Sequence, residues 1–370
     1  MDDRTSTLEP QVEPEIPPSR REPARRLRVV WWVLGPLLVL VATLTTVAAV
    51  VHSPYVMFAP GSAVSSEPLI SLPEGQSYDT RGDVLFTTVS VIRPTYLEAI
   101  KGWLQGNVDV FPRRQFFGDQ SDDERKAENV QSMDISKLVA AKVAFEHLGY
   151  KVESDGVTVV PAGPDAPSAG ILEAGDVVVA IDGEPVRSPE ELSESVKAHS
   201  PGDTIEITVE RTPTGKEGAP PERHDVKVEL GRREGTDEAV IGVYVAPRYD
   251  FPIDVKIDSL DVGGPSAGLA WTLGVLDRLT PGSITGGERV AVTGEIGPDG
   301  QVLQVGGVGQ KAVAAREEGA TLFLVPRAEA ERARPYAGSM KVVGVDDLDD
   351  ALRALDRIGG NALDLERPEG

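Results

Sequence analysis

The 370-residue chain contains no cysteine, only four histidines and few aromatic residues, which make up 5% of it. Without cysteine, disulfide bonds, thiolate catalysis and cysteine-ligated metal sites are all excluded. No histidine lies beyond residue 224, since the complete set is His52, His147, His199 and His224. Any catalytic histidine would therefore have to come from the first 224 residues.

Positive charge is also in short supply. Lysine and arginine together number 37 against 59 aspartates and glutamates, which gives a formal net charge of −22. Nucleic-acid binding needs a concentrated basic surface, so this balance argues against nucleic acid as a partner. The length allows two or three domains with substantial cores.

Charge is absent altogether from residues 29–51, "VVWWVLGPLLVLVATLTTVAAVV". As a helix this run would reach about 35 Å, enough to cross a hydrocarbon core of about 30 Å. Five arginines and one glutamate within 20–28 predict a cytoplasmic N-terminus, with everything after His52 extracytoplasmic. A signal peptide cleaved near "VAA" at 47–49 is the alternative, although its apolar core is usually only about 7–15 residues long. Residues 1–28 are expected to be a disordered cytoplasmic tail.

Residues 52–150 are predicted to form a membrane-proximal α/β segment. The stretches "PYVMFAPG" and "GDVLFTTVSVI" are rich in β-branched and aromatic residues and indicate strands. Apolar spacing indicates helices over 94–104 and 132–148, and the charged stretch 117–128 is interpreted as a loop. No pattern here points to catalysis, so we expect a scaffold.

The stretch 156–231 alternates strands with one helix that has a clear start. Ser188 is its predicted N-cap, Pro189 its first helical residue and Glu191 the partner in a capping box. Together with "PSAGILEAGDVVVAIDG" (167–183), this pattern resembles the PDZ domains of bacterial envelope proteases.

The resemblance implies a PDZ-like domain at 151–233. Such domains often capture a peptide strand and its terminal carboxylate at a backbone loop. Leu148, Gly149 and Tyr150 are the nearest candidates for that loop, although they match it poorly. One hypothesis for the chain is therefore a non-catalytic peptide-binding scaffold of the cell envelope.

The tetrapeptide Pro-Ser-Ala-Gly occurs twice, at 167–170 and 265–268. In the first copy, a small-residue turn of the PDZ-like unit, packing is the expected role of Ser168. The second copy lies in "DVGGPSAGLA" (261–270), ahead of a helix indicated by leucines at i, i+4 and i+7. A serine at such a turn is exposed beside several backbone N–H groups, which is how an oxyanion hole is commonly built. The candidate nucleophile is Ser266, and the candidate supporting donors are Gly263 and Gly264.

A serine nucleophile needs a base, and the C-terminal domain offers three lysines and no histidine. Lys256 shares the polar face of its strand with Asp254, and Lys341 opens a strand-like run, so both are expected to be solvated. Lys311 follows the glycine-rich turn "VGGVGQ" and heads a helix, whose positive dipole end disfavours a charged amine. Lys311 is therefore the candidate base, and a histidine borrowed from the N-terminal half is the alternative.

"GGPSAG" followed by "VTGEIGPDGQVLQVGGVGQKAVAAREEGATLFLVP" resembles the proteolytic domain of Lon proteases, over residues 239–358. The resemblance implies that Ser266 is the nucleophile, that Lys311 is the base and that Thr293 orients the amine. It also implies a homo-oligomeric ring, for which a hexamer is one expectation. Many Lon proteases carry an acidic residue where this chain has Gly263.

No P-loop is present, because "TGKEG" at 214–218 lacks both the spacing and the hydroxyl residue after the lysine. We therefore expect no nucleotide, and neither a metal nor another cofactor. With its anchor, PDZ-like unit and Lon-type domain, the chain resembles the secreted-type PDZ Lon-like endopeptidases of bacterial envelopes.

The expected fold class is multidomain α+β. The predicted parts are the tail 1–28, a transmembrane helix 29–51, the α/β segment 52–150, a PDZ-like domain 151–233, a Lon-type α/β proteolytic domain 234–360 and a flexible tail 361–370. The leading hypothesis is an ATP-independent serine endopeptidase with a Ser-Lys dyad, held in the cytoplasmic membrane by one helix. Its expected substrates are unfolded or membrane-associated polypeptides on the extracytoplasmic face.

Overall fold

The computed structural model describes residues 24–118, 120–213, 220–233 and 235–366. The first 23 residues of the predicted N-terminal tail and the last four of the predicted C-terminal tail lie outside this part.

The helices and strands of the described residues are numbered in chain order. The helices are α1 (Ala24–Val50), α2 (Tyr96–Leu104), α3 (Arg113–Phe117), α4 (Asp122–His147), α5 (Pro189–Lys197), α6 (Gly268–Leu279), α7 (Val308–Glu317), α8 (Ala330–Ala337) and α9 (Leu348–Asp356). The strands are β1 (Tyr55–Ser65), β2 (Ile70–Ser71), β3 (Asp83–Ile92), β4 (Asp109–Pro112), β5 (Ser154–Pro161), β6 (Asp176–Ile181), β7 (Glu184–Pro185), β8 (Thr204–Arg211), β9 (Glu222–Glu229), β10 (Gly231–Arg232), β11 (Ala239–Val240), β12 (Val243–Tyr249), β13 (Lys256–Ile257), β14 (Arg289–Val292), β15 (Glu295–Ile296), β16 (Val302–Leu303), β17 (Leu322–Pro326) and β18 (Lys341–Val345).

Helix α1 covers nearly all of the predicted transmembrane run, 29–51. Over the described part of the chain, no helix meets the combined length and apolarity that crossing a membrane requires.

The first six-stranded sheet combines strands from both ends of the sequence, in the order β18-β17-β14-β3-β1-β4. Strand β14 pairs in parallel with both β17 and β3, whereas β1 pairs antiparallel with β3 and β4. The segment predicted as a separate unit at 52–150 thus supplies three of the six strands. Residues 52–150 are therefore not a unit separate from the predicted proteolytic domain at 234–360, because hydrogen bonds between β3 and β14 join the two. The predicted boundary at 150 falls between α4 and β5, where the second sheet begins.

Two apolar layers cover this sheet. Helices α4 and α6 bury large side chains on one face, including Phe86, Met133 and Trp271. Helix α7 covers the other face, where Ala312 and Ala315 share a core with Phe323. The sheet and its two layers hold the loops that carry the predicted catalytic residues.

The second sheet has the order β12-β5-β6-β8-β9, with β7 paired to β6. Its core contains Val178, Ile205 and Ile207. Strand β12 was predicted to belong to the proteolytic domain at 234–360, and in the structure its seven residues pair antiparallel with β5 of this second sheet.

Helix starts follow the capping signals of the sequence. Ser188 accepts a hydrogen bond from the N–H of Glu191, with Pro189 as the first helical residue. The interpretation of 117–128 as a loop is wrong, because Asp122 begins α4. Ser121 and Glu124 form a complete capping box there, and the Ser-x-x-Glu pattern was visible in the sequence.

Candidate active site

Ser266 lies in a 3-10 turn, Pro265–Ala267, that leads directly into α6. Gly264 precedes this turn with φ of +89°, a left-handed conformation that favours glycine. Gly268 permits a close approach, since a Cβ there would lie 2.9 Å from the backbone nitrogen of Ile296 and 2.9 Å from Ser136 Oγ. The local sequence thus fixes the serine at the start of a buried helix.

Three of the predicted side chains converge at one point. The Lys311 Nζ donates to Ser266 Oγ at 2.8 Å and to Thr293 Oγ1 at 2.9 Å. The Thr293 hydroxyl in turn donates to the Ser266 carbonyl at 3.2 Å. The threonine follows β14, and the lysine lies on α7 shortly after Gly307, another left-handed glycine with φ of +68°.

The Lys311 amine is in a water-poor environment, with the residue only 3% exposed. Burial lowers its pKa from 10.5 to about 8, while the negative charge of Glu329 raises the pKa and so opposes this effect. A lysine with this pKa becomes a neutral amine close to neutral pH, and a neutral amine can accept a proton.

Replacing Glu329 with glutamine is expected to shift the pH dependence of peptide hydrolysis. Removal of the carboxylate charge should lower the pKa of Lys311 further, so the rising limb of kcat/KM should move to lower pH. Glutamine can still accept the hydrogen bond that the Val305 N–H donates to Glu329.

The matched control for that change is Glu331→Gln, which removes an exposed carboxylate paired with Arg334. Its rate profile should coincide with that of the wild type. A limb that stays in place or moves to higher pH in Glu329→Gln would contradict the assignment.

The predicted supporting role needs a correction at one of the two glycines, Gly264. The Gly264 N–H donates to the Asn129 carbonyl at 2.7 Å, so it is not free to meet an oxyanion in this conformation. A Cβ at Gly263 would lie 2.8 Å from the Asn129 Cβ. Both glycines allow the serine loop to pack closely against α4.

Sequence analysis missed the contribution of α4. Besides the contact at Asn129, the Ser136 hydroxyl donates to the Pro265 carbonyl at 3.0 Å. These residues precede the serine by 130 or more positions, and the PDZ-like unit lies between them in the sequence. No local spacing relates them, so only the tertiary structure identifies them.

A cleft of about 700 Å³ contains Ser266 and Lys311. One wall of the cleft is the end of β3. Strand β14 stops at Val292, which pairs with Phe86 of β3. From Thr87 onward, that side of β3 therefore has no partner strand among the described residues. The cleft is also lined by aromatic and α4 side chains, namely Phe58, Phe116, Phe117, Asn129, Ser132 and Met133. An extended strand edge therefore runs beside the serine.

None of the four histidines lines this cleft. His199 lies within 3.2 Å of Asp182 in the second sheet's unit, and His147 lies near Asp349. The two other lysines of the domain are solvated as predicted, and the Lys256 Nζ lies 3.7 Å from Asp254. The structure gives Ser266 a lysine neighbour and no histidine.

The peptide-binding loop predicted at residues 148–150 is wrong. Leu148 is buried in the core of the first sheet, and the Gly149 N–H caps α4 by donating to the Glu146 carbonyl. Tyr150 packs edge-on against Phe145 at 5.6 Å. These residues connect the two units and present no free strand edge.

Strand β12 is one of the two edge strands of the second sheet, with β9 at the other end of the strand order. The loop before it contains Gly242, with φ of +69°. Ser168 holds this loop: its N–H donates to the Ile241 carbonyl and its hydroxyl to the Gly242 carbonyl, both at 3.0 Å. The serine of the first Pro-Ser-Ala-Gly is fully buried and has a structural position.

Comparisons with known proteins identify two domain families in the chain. Residues 144–228 match the family model of the PDZ domain, and residues 244–355 match that of the Lon protease (S16) C-terminal proteolytic domain. The Lon protease of Campylobacter concisus is 32% identical over 111 residues, covering 29% of this chain and 14% of that protein. Lon protease 1 of Bacillus subtilis is 32% identical over 139 residues, covering 34% and 17%.

Among solved structures, the PDZ domain of the SdrC-like protein of Listeria monocytogenes is 30% identical, with a TM-score of 0.22. That match covers 26% of this chain and 93% of the Listeria domain. The chain matches less than one fifth of the length of the two Lon proteases.

The proteolytic-domain match and the site together define a serine peptidase. More particularly, the chain combines a PDZ domain with a Lon-type C-terminal proteolytic domain.

Proposed function

We propose that this protein is an ATP-independent serine endopeptidase in which Ser266 and Lys311 form the catalytic dyad. The observation that carries the proposal is the 2.8 Å contact between a buried lysine amine and a serine hydroxyl in an open cleft. The serine needs the lysine, because a serine hydroxyl is a weak nucleophile until a neighbouring base takes its proton.

In the first half of the reaction, neutral Lys311 accepts the proton of Ser266 Oγ as that oxygen bonds to the scissile carbonyl carbon. The carbonyl electron pair moves to oxygen, where the N–H of Ser266 and the positive end of α6 favour negative charge. When the tetrahedral intermediate collapses, the C–N bond breaks and the leaving amine takes the proton from Lys311. Water then attacks the acyl carbon as the same lysine takes a proton from it, and the acyl C–Oγ bond breaks while Lys311 returns the proton to Ser266 Oγ, which releases the carboxylic acid product.

Thr293 is proposed as a positioning residue for the lysine. Its hydroxyl accepts from Nζ and donates to the Ser266 carbonyl, which fixes the amine between the two residues. Thr293→Val is expected to lower kcat about 10- to 100-fold, because a hydrogen bond to an ionisable group contributes about 1.5–3 kcal/mol. The KM for a short peptide should stay near the wild-type value.

Thr293→Ser is the conservative variant, since it keeps the hydroxyl, and it should restore most of the rate. If the role of the threonine were purely structural, the kcat of each variant would instead fall in step with its thermal stability. Equal kcat in Thr293→Val and the wild type would refute the positioning role.

The open edge of β3 beside the serine supports unfolded polypeptides as substrates. An extended peptide can add to a strand edge through main-chain hydrogen bonds, which places successive carbonyls along the cleft. A folded substrate offers no such segment. Purified full-length protein should therefore cleave casein equally well with and without ATP and Mg²⁺. Cleavage that requires ATP would contradict the proposal.

We also propose that α1 anchors the protein in the cytoplasmic membrane, with residues after His52 on the extracytoplasmic face. The support is the uncharged run 29–51, flanked by arginines on its N-terminal side. The hydroxyls of Thr43, Thr45 and Thr46 each donate at 2.8 Å to the carbonyl four residues earlier, which satisfies them without water. Alkaline extraction of cell membranes should leave the protein in the pellet.

Two further properties belong to this proposal. The edge strand β12 is the place proposed for a peptide bound by the PDZ domain, instead of residues 148–150, since an extended peptide can add to a sheet edge. A homo-oligomeric ring remains the expectation from the Lon resemblance.

A further inference from the structure

Helix α2 carries an apolar stripe on its exposed side. Tyr96, Ile100, Trp103 and Leu104 follow i, i+4, i+7 and i+8 and are 44%, 49%, 56% and 84% exposed, respectively. Elsewhere on the described surface beyond α1, large exposed apolar side chains do not form a stripe at helical spacing on one element. A contiguous apolar stripe of this kind marks an interaction surface.

The opposite face of α2 is fixed to the protein, so the stripe is a defined feature. Ala99 and Gly102 are buried, and a Cβ at Gly102 would lie 2.9 Å from Val110 Cγ2 and 3.0 Å from Met57 Sδ. Thr95 and Glu98 form a complete capping box that starts the helix. The stripe therefore cannot turn inward without loss of this close packing.

The start of α2 is bonded to the end of α1. The Tyr96 N–H donates to the Val51 carbonyl at 3.2 Å, and the Ser53 N–H donates to the Pro94 carbonyl at 2.8 Å. Val47 and Val50 in the last turn of α1 are also exposed. The apolar surfaces of the two helices thus meet where the chain leaves α1.

We propose that α2 lies in the headgroup layer of the bilayer that α1 enters, with its apolar stripe toward the acyl chains. This inference rests on the proposed membrane anchor. A short helix with leucine, isoleucine, tryptophan and tyrosine on one face suits the interface between water and lipid. Arg93 and Lys101 are exposed beside the stripe in a chain of net charge −22, and anionic headgroups attract such cations.

This placement determines where substrates enter. A second cleft of about 530 Å³ reaches from Ile92 and Arg93, immediately before α2, to Asn129 and Gly263. Both of the latter residues also line the cleft that contains Ser266. The route to the nucleophile therefore opens at the level of the lipid surface, which favours extended polypeptides that are tethered to a bilayer or emerge from it.

The absence of native cysteine permits a direct test with single-cysteine variants of the full-length chain. One environment-sensitive fluorophore is attached to the cysteine of each of three variants, Leu104→Cys, Val47→Cys and Leu363→Cys. The labelled proteins are then placed in phosphatidylcholine–phosphatidylglycerol vesicles that contain nitroxide-labelled lipid, which quenches fluorophores in the bilayer. Leu363 is the matched control, because it is an exposed leucine near the start of β3. Its neighbour Asn361 bonds to Ser283, and the Ser283 hydroxyl donates at 2.6 Å to the carbonyl of Arg81, two residues before β3 begins. About 30 Å of β3 separates that end of the sheet from Ile92.

The expected result is strong loss of fluorescence at positions 47 and 104 and none at position 363. Loss at position 47 alone would keep the anchor and overturn the placement of α2. Loss at neither position would contradict the anchor and, with it, this inference. The label at position 104 could instead become shielded from water as the protein concentration rises, with no quenching by the nitroxide lipid. That result would assign the stripe to contact with a second copy of the chain and overturn the proposal.

A double variant tests the consequence for substrates. Ile100→Glu with Leu104→Glu places two negative charges in the stripe but leaves Tyr96 and Trp103, the latter of which packs edge-on against Tyr55 at 5.3 Å. This variant should hydrolyse a soluble peptide at the wild-type rate and lose most of its cleavage of the same peptide attached to vesicles. Unchanged cleavage of the attached peptide would contradict entry at the lipid surface.

Discussion

Ser266→Ala is expected to lower kcat for hydrolysis of an unfolded protein or short peptide by about 10⁴- to 10⁶-fold, the range found when catalytic serines are removed from other peptidases. Without Oγ no acyl-enzyme can form, and the remaining groups can only bind and polarise the substrate. The side chain is small and partly exposed, so its truncation leaves the buried helix α6 in place. The measurement is the single-turnover rate with a fluorogenic peptide, alongside circular dichroism to verify the fold.

The sequence itself contains the matched control, because Ser168 occupies the same Pro-Ser-Ala-Gly context. Ser168→Ala removes one hydrogen bond, to the Gly242 carbonyl, and should lower the stability of the PDZ domain by about 1 kcal/mol. Hydrolysis of a short peptide should be unaffected. Residual activity of Ser266→Ala comparable to that of Ser168→Ala would refute the assignment of the nucleophile.

Lys311→Met is expected to abolish hydrolysis to a similar extent and to stabilise the fold at the same time. The amine has a folded-state pKa of about 8, below its ordinary value of 10.5, because burial disfavours the charged form. Below pH 8 both the folded and unfolded states are protonated, so the folded state carries the full penalty of about 3 kcal/mol. The penalty diminishes as the pH rises from about 8 to 10.5, where the buried amine is already neutral.

Methionine has a similar shape and no charge, so it should raise the free energy of unfolding at pH 7 by up to about 3 kcal/mol, and by little at pH 10.5. Urea denaturation at the two pH values measures this difference. Lys256→Met is the control, since it removes an exposed amine and should change neither stability nor rate. Lys311→Arg should also be inactive, because a guanidinium does not release its proton at these pH values. An active or destabilised Lys311→Met variant would contradict the role of the lysine as a buried base.

Much of the site could be predicted from the sequence because its signals are local. Glycine turns precede both Ser266 and Lys311, each turn leads into a helix, and the domain has no histidine. Burial of the amine and its contact with the hydroxyl then depend on how the two turns meet across the sheet, which no spacing in the sequence specifies.

The surroundings of the serine could not be predicted, for a topological reason. Asn129 and Ser136 hold the serine loop, and the end of β3 forms a wall of its cleft, yet all of them precede the PDZ domain. Insertion of that domain separates them from Ser266 in the sequence but not in space. The chain leaves the second sheet through β12, which pairs with β5, the strand by which it entered that sheet.

Other differences arose from the interpretation of local signals. The charged stretch after Ser121 was interpreted as a loop because of its polarity, although its capping box indicated the start of a helix. Residues 148–150 were chosen as the peptide-binding loop by their position ahead of the first PDZ strand. In the structure they cap α4, and a later segment, β12, supplies an edge strand of the second sheet.

The most direct test of the central claim is to locate a covalent acyl or phosphonyl group in the full-length protein. After reaction with a peptidyl fluorophosphonate, peptide mapping by mass spectrometry should find the label on Ser266, at a rate that rises through about pH 8 as Lys311 loses its proton. The Lys311→Met variant should remain unlabelled. A label on any other residue, or equally rapid labelling of Ser266 in Lys311→Met, would contradict a dyad in which this lysine activates this serine.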